Sequence, residues 1–214
     1  MDNEILIKKR YVKGLKLASI ILFGLYLIGL ANIIFIPGIE TEIVKQLFTT
    51  LMVTGVITFG AIGTSVSEKN YDLCLYFAIA MQVAFPLAFS ALFNYEFSMI
   101  NGFELFSGRM MDYAFVAAAG PMVVSILFAR FYLSIFFVLY NCVLVGFQVF
   151  SAISIPNTFI SFNNNIIATN INAINGGILG LNITYLIVVA VGVITLAWVI
   201  DSNLKEATIQ ERSN

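Results

Sequence analysis

The sequence predicts an all-α integral membrane protein, a bundle of six transmembrane helices with both termini in the cytoplasm. Three observations predict it. Hydrophobic residues make up 60% of the chain and charged residues 11%, against about 45–50% and 25% in soluble domains, which leaves too little polar surface to clothe a water-exposed globule. The apolar residues fall in six runs, each about the length needed to cross a hydrocarbon core of roughly 30 Å. The lysines and arginines lie between these runs and sort to alternate sides. Lipid cannot hydrogen-bond exposed backbone groups, so runs of this length must be helices; strands would alternate apolar and polar residues in pieces of about ten.

Residues 1–16 read as a basic amphipathic cytoplasmic tail. Lys8, Lys9, Arg10, Lys13 and Lys16 alternate there with Ile5, Ile7, Tyr11, Val12 and Leu15, a pattern that sets topology and lies on anionic lipid at about 1 kcal/mol per cation. The first span is placed at about 17–37. Leu17–Ile28 followed by Gly29-Leu30-Ala31 resembles the core of a cleaved leader, but apolar sequence continues to Pro37, which predicts a retained helix.

The second and third spans are placed at about 44–66 and 73–93. Residues 113–155 are nearly continuous and broken only by Arg130; as one helix they would run about 65 Å, twice the hydrocarbon thickness. They are therefore divided into spans at about 113–129 and 132–155 with a turn at Arg130, since a cation in mid-bilayer costs roughly 2.5–3.5 kcal/mol. The sixth span is placed at about 178–200, followed by a polar cytoplasmic tail, 201–214, that continues as a helix around Leu204, Ala207 and Ile209.

Orientation follows from the cations. Lys8, Lys9, Arg10, Lys13, Lys16, Lys69, Arg130, Lys205 and Arg212 share one side, and only Lys45 and Arg109 lie on the other. The first side is the cytoplasm, which places the chain as a multi-pass protein of the cell (inner) membrane.

Two outer connections are long. In Asn94–Asp112, Phe97, Ile100, Phe103, Phe106 and Met110 recur at spacings of three and four, as on one side of an interfacial helix; Ser107-Gly108-Arg109 beside Glu104 and Asp112 reads as a loop ion pair. Asn157–Gly177 carries seven asparagines and no charge. It is expected either to pack over the bundle or against a neighbour, or to be a disordered loop.

Polar residues inside the spans form ridges. Gln46, Thr50, Thr54 and Thr58 recur every four residues in the second span, as do Cys74, Ala78, Gln82, Pro86 and Ser90 in the third. Ala114, Ala118, Pro121 and Ser125 mark the fourth, and Ser134, Asn141 and Gln148, seven apart, share a face of the fifth. Such rows of small or polar residues are expected to face protein. Gly176-Gly177-Ile178-Leu179-Gly180 has the spacing that admits close helix approach. Thr54, Gln82, Asn141 and Gln148 are the candidate site: either an interhelical hydrogen-bond network in a dry bundle or the lining of a polar cavity.

What is missing narrows the function. The chain has no histidine, so imidazole metal sites and histidine proton relays are excluded. No Asp or Glu lies deep in a span, which argues against carboxylate-coupled transport and aspartyl proteolysis. Phosphate-binding, nucleophile-elbow and paired-cysteine motifs are absent, and Cys74 and Cys142 read as buried apolar residues. No catalytic residue, metal or cofactor is expected, and no nucleic-acid partner. The favoured reading is a non-enzymatic membrane subunit of a larger envelope assembly such as transport or secretion machinery, with lipid and other membrane subunits as partners. The alternatives are a small permease or substrate-binding membrane subunit for an uncharged polar solute, and the membrane input module of a sensor.

Overall fold

A computed structural model of the chain describes residues 2–35, 42–99, 109–154, 156–170 and 173–213. Seven α-helices lie among them: α1 (Asp2–Phe35), α2 (Glu42–Ser65), α3 (Tyr71–Met99), α4 (Arg109–Ser125), α5 (Phe131–Ile153), α6 (Asn164–Thr169) and α7 (Gly176–Ser213). A 3-10 turn, Ile126–Phe128, joins α4 to α5, and two short strands, β1 (Phe159–Ser161) and β2 (Ala173–Asn175), flank α6. The stretch between Met99 and Arg109, with most of the expected interfacial helix and charged cluster, lies outside the described residues.

Among the described residues five helices are long and apolar enough to cross a bilayer, through Ile7–Ile34, Phe48–Ser65, Tyr71–Ala88, Phe131–Ile153 and Gly176–Ala207. Their surfaces are those of a body solvated by hydrocarbon: Ile28, Ile57, Val143, Phe150 and Leu181 are each at least 60% exposed, an arrangement that water would penalise. The expected fourth span differs. Its helix ends at Ser125, and the apolar stretch Ala117–Phe128 is shorter than the other five.

The chain divides into two compact units, one of Met1–Phe85, Ile126–Arg130 and Ala197–Asn214, the other of Pro86–Ser125 and Phe131–Leu196. In the first, α1 buries the stripe Leu15, Ala18, Ser19, Leu22 and Tyr26, and α2 buries Met52, Gly55, Phe59 and Ile62. Both sets recur at three or four residues, as one face of a helix must. Gly55 is the close contact: a Cβ there would overlap the Tyr26 ring. That ring also meets Phe59 at 5.5 Å and the edge of Phe85 at 5.7 Å between centroids.

The row Gln46, Thr50, Thr54, Thr58 is therefore not the face that α2 buries. Gln46, Thr50 and Thr54 are exposed and Thr58 is half-buried. The Thr50 hydroxyl donates to the Gln46 carbonyl at 2.8 Å and the Thr54 hydroxyl to the Thr50 carbonyl at 2.7 Å. A hydroxyl bonded to its own helix has no polar demand left for a neighbour, so it can face lipid. The glycines, which let another side chain reach the backbone, lie on the opposite side and decide the packing. On α3 the row behaves as expected: Cys74, Ala78 and Gln82 are buried.

Polar residues shape the connections. Asn70 closes the α2–α3 turn, its Oδ1 accepting from the Ser67 N–H at 2.7 Å and the Ser67 hydroxyl at 2.9 Å while its Nδ2 donates to the Ser65 carbonyl at 2.9 Å. The turn at Arg130 contains Ala129 at φ 54°, with its N–H donating to the Ile126 carbonyl at 3.0 Å. The Leu127 carbonyl lies against Gly14 of α1, where a Cβ would come within 2.9 Å.

In the second unit α4 and α5 pack together. Ser125 and Ser134 share a hydrogen bond of 3.1 Å, and Ser125 also donates to the Met122 carbonyl at 2.5 Å. In the described part of the charge-free connection after α5, β1 and β2 pair in parallel, Phe159 with Ala173 through Ser161 with Asn175. Its asparagines start helices. Asn163 Oδ1 caps α6 through the Asn165 N–H at 3.0 Å, and Asn175 Oδ1 caps α7 through the N–H groups of Gly177 at 3.0 Å and Ile178 at 3.2 Å. An amide caps a helix as well as a carboxylate does, without a charge at the membrane surface. Gly176 is buried not by another helix but by Phe162 and Ile160, whose atoms a Cβ would meet at 2.7 and 2.8 Å. Gly180 opens onto free space.

Candidate polar site within the membrane

The four residues singled out from the sequence fall in different places. Thr54 is exposed and satisfied by its own helix. Gln82 is 3% exposed on the part of α3 that belongs to the first unit. Asn141 and Gln148 belong to the second unit, and these two share a site.

Both lie on the buried face of α5 with Ser134, Phe137, Val138 and Val145. The spacing explains this: seven residues are nearly two turns, so Ser134, Asn141 and Gln148 stack on one side. Asn141 is completely buried and Gln148 is 7% exposed. Together with Pro86, Ala117, Ala118, Leu144 and Val145 they line a cavity of about 10 Å³. Every other side chain in that lining is apolar, so the two amides supply its side-chain polarity.

The amides are only partly satisfied. Asn141 Nδ2 donates to the Phe137 carbonyl at 2.8 Å, a bond that turns Oδ1 away from that carbonyl. Asn141 Oδ1 and Gln148 Oε1 are both buried without a hydrogen-bond partner. A buried acceptor left bare in hydrocarbon costs on the order of several kcal/mol. The site therefore has two acceptors that attract donors, and its side chains offer no nucleophile or charge. None of the residues lining it is ionisable, and no cluster of metal ligands occurs among the described residues. A volume of about 10 Å³ is near the lower limit for one water molecule, which excludes an organic solute in this arrangement.

A second polar cluster, not anticipated from the sequence, occurs in the first unit. The Arg130 guanidinium lies 4.8 Å from the centre of the Tyr11 ring and 5.2 Å from that of Tyr71, and the two rings stack at 6.1 Å. The signal available in the sequence was an aromatic residue beside the cations in two segments assigned to the same side as Arg130; nothing in the sequence pairs them.

No family model, curated protein or solved structure matches the chain. Its class is that of a helical, multi-pass membrane protein, as the five apolar helices establish.

Proposed function

We propose that the chain is a non-enzymatic subunit of a larger envelope assembly in the inner membrane, of the transport or secretion kind, with six spans and both termini cytoplasmic. The observation that carries this reading is the ordered, uncharged unit β1-α6-β2. It exposes Phe162 by 79% and Phe159, Ile160 and Ile166 by about 40% each. An ordered extramembrane element that displays aromatic and branched apolar side chains, with no charge among them, has the composition of an interface centre and not of a solvated loop.

The six-span arrangement is supported by α4. At about 1.5 Å per residue the 17 residues of α4 run about 26 Å, with no charge after Asp112. The meeting of Tyr11, Tyr71 and Arg130 supports a common side for the N-terminal tail and the two turns. The basic tail remains the element suited to anionic lipid. The permease reading stands second, because its amides face a cavity of about 10 Å³. A sensor input module is supported only by the unbroken course of α7 to Ser213.

The test is purification of the intact chain from native membranes in mild detergent, with a photo-crosslinking amino acid at position 162. A stoichiometric complex whose crosslink at 162 reaches another membrane protein is expected. A monodisperse monomer, crosslinked only to lipid, overturns the proposal.

A further inference from the structure

We infer that the cavity between Pro86, Ala117, Ala118, Asn141, Leu144, Val145 and Gln148 is a binding site for one water molecule, which donates its two protons to Asn141 Oδ1 and Gln148 Oε1. Three observations meet here. The cavity has a volume of about 10 Å³, close to the smallest that holds a water and too small for anything larger. Two residues of its lining, Asn141 and Gln148, carry carboxamide oxygens that are buried and have no hydrogen-bond partner. The donating end of Asn141 is already engaged by the Phe137 carbonyl at 2.8 Å, so the amide presents an acceptor.

Acceptors without donors select the occupant. Water is the smallest neutral molecule that offers two protons at once, and buried waters typically satisfy groups of this kind. Pro121 adds to the imbalance, since it has no N–H for the carbonyl of Ala117, four residues earlier on the cavity lining. A cation of the same size is disfavoured: no carboxylate lines the cavity, and an uncompensated charge at this depth is expensive. The water would link the two amides along the buried face of α5, through a bridge that can break and re-form.

Proton-detected solid-state NMR of the full chain, labelled with 15N in its Asn and Gln side chains and reconstituted in bilayers of deuterated phosphatidylcholine, tests this. Magnetisation starting on water should reach the side-chain amides of both Asn141 and Gln148. Asn141→Leu should abolish the transfer at Gln148, and Gln148→Leu that at Asn141. Ala118→Val, which adds two methyl groups to a residue of the cavity lining and changes neither amide residue, should abolish both while leaving the spectrum of the remaining amides in place. Absence of transfer in the parent chain, when exposed Gln46 receives it, overturns the inference. So does transfer that persists at full strength in Ala118→Val, or at the remaining amide of either single variant.

Discussion

The Arg130 guanidinium rests on the face of Tyr11, 4.8 Å from the ring centre. This contact joins the N-terminal helix to the turn between α4 and α5, across 119 positions of sequence, and the Tyr71 ring beside Tyr11 meets the same cation at 5.2 Å. A cation at a membrane surface needs either water or a polarisable neighbour, and two stacked phenol rings supply the second.

The clamp should be measurable. Each ring is expected to contribute about 0.5–2 kcal/mol to stability through the cation. Tyr11→Leu, which keeps the apolar contact and removes the π face, should lower the thermal midpoint of the detergent-solubilised protein. It should do so much less in an Arg130→Gln background. Equal losses in both backgrounds would show that the ring acts by packing alone.

At Gly55 the α1–α2 contact has no room for a methyl group. Gly55→Ala forces the Tyr26 ring to move and should cost about 1–3 kcal/mol, the usual range for overpacking. Tyr26→Leu should relieve part of this loss, so the double variant is expected to be more stable than the sum of the single changes. Unfolding in a denaturing detergent, followed by circular dichroism, gives all four corners of the cycle.

Tyr26 carries its own cost. Its hydroxyl is buried with no hydrogen-bond partner, while the ring packs on Phe59 and Phe85. Tyr26→Phe keeps the ring and removes the bare polar group, so it should raise stability by about 1 kcal/mol. A loss of stability of similar size would mean that the hydroxyl is satisfied in the folded protein.

Ala129 occupies the left-handed region at φ 54°, which costs an L-residue about 1 kcal/mol. Ala129→Gly should therefore stabilise the turn by about 0.5–1 kcal/mol. The effect is read as a higher midpoint of thermal unfolding with the helical signal unchanged.

Under Phe162 and Ile160, Gly176 marks where α7 leaves the small sheet. Gly176→Ala should loosen β1-α6-β2 while leaving the helices intact. Amide exchange in residues 159–175 should rise and that in residues 184–200 should not. Phe162→Ala, by freeing the space over position 176, should reduce the difference.

The sequence by itself determined the all-α class and the long apolar helices, because composition and run length depend only on local residues and on the thickness of the bilayer. It also placed Ser134, Asn141 and Gln148 on one face, since a spacing of seven fixes direction around a helix. It placed the turn at Arg130 through the cost of a buried cation. The face that α2 buries was decided only by the tertiary structure. A threonine hydroxyl is content with its own backbone, as Thr54 is, whereas a glycine becomes a contact only when a ring such as Tyr26 arrives from elsewhere. The same holds for the amides: spacing aligned Asn141 with Gln148, but that their oxygens end without donors at a cavity of water size depended on Pro86, Ala117 and Ala118. The strands around α6 were not legible either. A parallel pair of three residues each has no periodicity to read, and its order rests on Asn163 and Asn175 capping helices and on Phe162 closing over Gly176.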